Sequence, residues 1–87
     1  MSSVEAVVAA SEGLHARPAA LFAQAVSATG ETVMISKPGA EAVDASSVLA
    51  LMTLGAKQGE TVVLTCEAQD GEKILASLKE MLQTPEG

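Results

Sequence analysis

Eighty-seven residues leave room for one hydrophobic core, because domains typically run to about 100–150 residues, so residues 1–87 are read as a single domain. Five basic against eleven acidic side chains give a net charge of −6, with Phe22 as the one aromatic residue. That excludes nucleic acid, whose phosphates call for Lys and Arg and whose bases call for stacking platforms, and it argues against anionic membrane surfaces.

A lone cysteine, Cys66, rules out an internal disulfide and reads as inert core. Met1-Ser2-Ser3-Val4-Glu5 lacks the basic start and apolar run of a signal peptide, and no apolar stretch approaches the roughly 20 residues of a bilayer span. The expectation is a cytoplasmic protein without membrane insertion, its core built from Val, Leu, Ile, Met and Ala.

The first element, Val4-Glu5-Ala6-Val7-Val8-Ala9, is short and rich in β-branched residues and reads as a strand, broken by Ser11-Glu12-Gly13. From Ala16 the period changes. Ala19, Phe22, Ala23 and Val26 follow helical spacing, Pro18 suits the first turn, and Thr29-Gly30 closes the helix. A second strand covers residues 32–36 and a turn at Lys37-Pro38-Gly39-Ala40 leads into a third at residues 41–44. Asp44, Ser46 and Ser47 are all competent caps for a short helix, Val48–Leu54, which Gly55 ends. After a turn at Gln58-Gly59 comes the clearest strand, Thr61–Cys66. Last is an amphipathic helix with Ile74, Leu75, Leu78, Met81 and Leu82 on one face, opened by Asp70 or Gly71.

The order β-α-β-β-α-β-α predicts an α+β fold, an open-faced β-sandwich: one four-stranded antiparallel sheet with three helices on one face. Glu5, Glu31, Thr61 and Thr65 are expected on the face that meets water.

Chemistry concentrates in one place. The single His and the single Arg are two residues apart in Gly13-Leu14-His15-Ala16-Arg17-Pro18-Ala19-Ala20. A histidine near a helix start is commonly an ordinary surface residue. Here a glycine break, a first-turn proline and the only guanidinium frame the ring. The backbone N–H groups of Ala16 and Arg17 are free at a helix start, the positive dipole end lies behind them, and Arg17 adds a fork matched to phosphate. Those positive charges disfavour imidazolium and leave a ring nitrogen able to attack a phosphoryl group. Glu67, Asp70 and Glu72 lack a regular ligand spacing, so no metal is expected, and no glycine-rich nucleotide loop is present.

The stretch from Gly13 to Ala19 resembles the active-site signature of the HPr family, the histidine-containing phosphocarriers of the bacterial phosphoenolpyruvate-dependent phosphotransferase system. Ser46-Ser47-Val48-Leu49-Ala50-Leu51-Met52-Thr53-Leu54-Gly55 resembles the family's regulatory-serine helix, and the length and element order agree. The resemblance implies a carrier and no enzyme, without cofactor or metal. His15 would take phosphate on Nδ1 from enzyme I and pass it to the A domains of sugar permeases. Arg17 would stabilise the group, Ser47 would match the serine modified by a dedicated kinase in some bacteria, and Val48, Leu49 and Met52 would match the apolar patch that docks partners. A monomer is expected.

Two positions depart from the family pattern. Glu12 stands where Asn or Ser is usual, placing a carboxylate near His15, and Ser46 stands where Lys often precedes the regulatory serine. Two other readings share the fold. A regulatory binding module would use the patch with the histidine idle, which the presence of both His15 and Arg17 disfavours. A carrier of a nitrogen or dihydroxyacetone branch would share the chemistry with other partners. A stand-alone hydrolase lacks a second acid or base.

Overall fold

The computed structural model describes residues 2–9, 13 and 16–84, with Ala16 described through its backbone. The elements follow in the order β1 (Ser2–Val7), α1 (Ala16–Thr29), β2 (Val33–Ser36), β3 (Val43–Asp44), α2 (Val48–Leu54), β4 (Thr61–Cys66) and α3 (Gly71–Gln83). The strands form one sheet in the order β1-β4-β2-β3, with every pairing antiparallel. β4 therefore lies between β1 and β2, Leu64 facing Val4 on one side and Ile35 on the other. This is the split arrangement that two β-α-β units joined by a hairpin produce.

The period-2 pattern sets which face of the sheet is buried. Ala6 and Val8, Val33 and Ile35, and Val62, Leu64 and Cys66 all point into the core. The helices cover that face: α3 packs against β1 and β4, α2 against β3, and α1 touches both other helices. α1 contributes Ala19, Phe22, Ala23 and Val26, and α3 contributes Leu75, Leu78 and Leu82. The one aromatic ring is fully buried, and alanine fills the gaps between the larger aliphatics.

Several boundaries differ from the sequence expectation. β1 begins at Ser2, because β4 is long enough to pair Ser2 with Cys66, and Val8 then continues the ladder by donating to Glu60 O at 3.0 Å. β3 keeps only Val43 and Asp44, since Asp44 already turns the chain toward α2. Glu31 is exposed in the bend before β2, outside the sheet, and Thr61 and Thr65 are half-buried where exposure was expected. On α3, Met81 is exposed and Ile74 half-buried, so the buried stripe is narrower than the apolar pattern.

Within α2, Leu51 is fully buried while Leu49 is 73% exposed. Leu51→Ala is therefore expected to cost about 2–5 kcal/mol, the usual penalty for a buried leucine, whereas Leu49→Ala should stay within about 0.5 kcal/mol of the parent. Urea unfolding of the two variants checks this, and equal losses would contradict the assigned faces.

Candidate functional site

α1 starts at Ala16 and carries no acidic residue in its first turn. Its first N–H groups therefore have no carboxylate within that first turn to compete for them. Arg17, the second residue, is exposed, and Pro18 and Ala19 follow with Ala19 fully buried, which pins the turn to the core. Its burial follows the helical stripe that Ala19 shares with Phe22, Ala23 and Val26. His15, Leu14 and Glu12 lie outside the described residues, as does the side chain of Ala16.

Gly13 is buried, with φ +73°. A β-carbon on it would collide with the Ala56 carbonyl oxygen and lie 2.9 Å from Lys57 Cα. Glycine is thus required here twice over, by backbone conformation and by space. The contact also seats the segment before α1 on the chain that leaves α2.

α2 is the second half of the site. Ser47 is its N-cap: the Ser47 hydroxyl accepts the Ala50 N–H at 3.2 Å. Gly55 ends the helix with φ 69°, the left-handed cap geometry. Asp44 and Ser46, the other candidate caps, form a separate turn in which Asp44 Oδ1 accepts both the Ser46 hydroxyl at 2.7 Å and the Ser46 N–H at 2.9 Å. With Leu51 turned inward, Val48, Leu49 and Met52 are left exposed.

The chain leaving α2 meets Gly13, and the start of α2 lies along the later half of α1, where Ala20, Gln24 and Ser27 face Ser46 and Val48 across a shallow groove. The two helices thus form one surface. Leu21, one turn beyond Arg17, is 47% exposed, an apolar side chain on the surface of α1. The sequence carried a signal for it: Leu21 falls outside the stripe made by Ala19, Phe22, Ala23 and Val26.

The comparisons with known proteins agree with this geometry. The family model described as the PTS HPr component phosphorylation site matches residues 2–84. The chain belongs to the HPr family. It is 45% identical over 71 residues to the phosphocarrier protein HPr of Streptomyces coelicolor, covering 82% of this chain and 76% of that one. The crystal structure of HPr-C-His from Thermoanaerobacter tengcongensis superposes with a TM-score of 0.86 at 35% identity, covering 95% of this chain and 92% of that one. The HPr of Bacillus anthracis str. Ames gives 0.86 at 33% identity, covering 94% and 96%. The open-faced α+β sheet is therefore the family's fold, and membership makes this a phosphocarrier of the phosphotransferase system rather than a catalyst.

The Asp44 turn has a pH signature. Hydrogen bonds from the Ser46 hydroxyl and then the Ser46 N–H hold the carboxyl below its ordinary value of 3.8, against a small opposing effect of burial. A depressed carboxyl stabilises the fold above the ordinary value, and that contribution fades as pH falls through the lowered one. Ser46→Ala is expected to raise the Asp44 midpoint toward the ordinary value, read by carbon-detected NMR titration; an unmoved midpoint would show that the hydroxyl does not set it.

Proposed function

We propose that this protein accepts a phosphoryl group on His15 from phospho-enzyme I and passes it to the A domains of sugar permeases. The observation that carries the reading is the position of the chain's only histidine, between the seated Gly13 and the first turn of α1 with its exposed Arg17. Nδ1 of a neutral His15 ring attacks the phosphorus, the bond from phosphorus to the donor imidazole breaks, and that imidazole leaves with the electron pair. Arg17 and the N–H groups at the start of α1 hold the transferred charge. Delivery to a permease reverses the same exchange: the acceptor attacks phosphorus and the His15 ring leaves with the electron pair. One ring cannot supply both a nucleophile and a separate acid, so the protein is a substrate of its partners.

Val48, Leu49, Met52 and, from α1, Leu21 form the docking patch. Ser47 at the patch edge is the proposed target of a serine kinase, the hydroxyl that caps α2 being the one modified. The carrier works in the cytoplasm with enzyme I; among the described residues no helix is long and apolar enough to cross a membrane.

Incubation with phosphoenolpyruvate and enzyme I should add one acid-labile, base-stable phosphate. His15→Ala should abolish that label with the fold intact, and a variant that still accepts phosphate would overturn the assignment. Arg17→Ala should slow transfer far more than it lowers stability, because each charge-assisted contact to the phosphate is worth about 1.5–3 kcal/mol before solvent losses.

Docking is tested separately. Leu49→Glu is expected to weaken binding to enzyme I by roughly 10- to 100-fold, the equivalent of about 1.5–3 kcal/mol of buried leucine, without loss of the thermal transition. Ser47→Asp should slow acceptance through weaker association, because its charge sits beside apolar surface that must be desolvated. Unchanged binding by Ser47→Asp alongside weakened binding by Leu49→Glu would reduce Ser47 to a helix cap.

A further inference from the structure

One short turn holds the chain at two points ahead of the histidine. At the first, the Gly59 N–H donates to Val8 O at 2.8 Å and the Val8 N–H to Glu60 O at 3.0 Å, so the β1–β4 ladder runs on into residues 57–60. Gln58 Nε2 adds a contact to Ala9 O at 3.4 Å. Closer to the histidine, the Gly13 backbone rests against Ala56 and Lys57 with no space for a side chain.

The turn is closed twice by one residue. The Glu60 N–H donates to Lys57 O at 3.0 Å, and Glu60 Oε1 accepts the Lys57 N–H at 2.8 Å. The other carboxylate oxygen, Oε2, lies 3.5 Å from Lys37 Nζ. The Lys57 N–H is also the main reason that the Glu60 carboxyl lies below its ordinary value. With 40% of its side chain exposed, Glu60 contributes the shape of the turn more than buried surface.

We infer that Glu60 is a positioning residue for phosphoryl acceptance: its carboxylate shapes residues 57–60, and that turn sets where the chain stands at Val8–Ala9 and again at Gly13, the approach to His15. The inference rests on the assignment of His15 as acceptor. His15 is two residues past Gly13 and one before Ala16, and each Cα step is about 3.8 Å, so a displaced Gly13 moves the ring directly. In-line transfer between two rings tolerates little of this, since a misplacement of about 1 Å can cost roughly 100-fold.

The test compares Glu60→Ala with Glu60→Gln, both confirmed as folded by circular dichroism. The glutamine removes the same charge but keeps an oxygen for the Lys57 N–H. With phospho-enzyme I as donor, Glu60→Ala should lower kcat for His15 labelling by about 10- to 100-fold with KM unchanged, because the patch on α2 is untouched. Glu60→Gln should recover to within about threefold of the parent. In parallel, the His15 ring is titrated by NMR through its Cε1 proton without any donor. There Glu60→Ala should differ from the parent in shift and midpoint, and Glu60→Gln should fall closer to the parent. Should Glu60→Ala fail to fold, Glu60→Asp, with its shorter arm, replaces it in both measurements. Parent-like labelling and titration by Glu60→Ala, a loss confined to KM, or a Glu60→Gln as impaired as Glu60→Ala would each overturn the inference. A parent protein that takes no label would overturn the His15 assignment instead, and the donor-free titration would still decide the role of Glu60.

Discussion

The backbone contact between Gly13 and residues 56 and 57 is the constraint on which the geometry of the site depends. Two chain segments meet there with nothing but a glycine Cα between them. α2 must therefore end where it does, which the left-handed Gly55 enforces, and the chain must turn at once toward β4. Because the same turn carries on the β1–β4 ladder, the strand before the histidine and the glycine before the helix are referred to one fixed object. The sheet is thus connected to Gly13, ahead of α1, through main-chain contacts.

The core explains how such close approaches are possible. With one aromatic ring and many alanines, α1 and α2 lie close enough for Ala20 and Val48 to line one shallow groove. A short helix cannot bury much, and α2 commits only Leu51 to the interior. Val48, Leu49 and Met52 are then left at the surface, so the weakness of α2 as a structural element is what suits it to the proposed docking role.

Much of this was legible in the sequence. Thr61–Cys66 alternates cleanly because its two faces differ, and Val48–Leu54 is bracketed by a cap and a glycine, so both were read with their observed bounds. The division of α2 into an inward Leu51 and an outward Leu49 and Met52 also follows from helical spacing. Leu21 looks like one more core leucine until the stripe it misses is drawn. Two things could not be read locally. β1 reaches back to Ser2 because β4 offers partners, a property of the pairing rather than of Ser2 and Ser3. Gly13 reads as a simple chain break, because the carbonyl it must avoid is more than forty positions away in sequence. The roles proposed for His15 and Arg17 rest on the framing residues and the family resemblance together.

The run of β1 has a practical consequence for anything joined to this protein. At one end, Ser2 pairs with Cys66 and lies against Gly71. At the other, the Val7 N–H is held by Gln83 Oε1 at 3.1 Å and the Ala9 N–H by Leu82 O at 2.9 Å. The beginning of the strand and the end of α3 therefore leave the sheet at opposite ends of β1, separated by its length. A label, tether or fused domain attached ahead of Ser2 departs at the end remote from Gly13, whereas one attached after Thr84 starts at the end of β1 where Ala9 leads toward Gly13 and the proposed docking surface. Immobilisation through the first strand is the orientation that keeps the carrier open to its traffic.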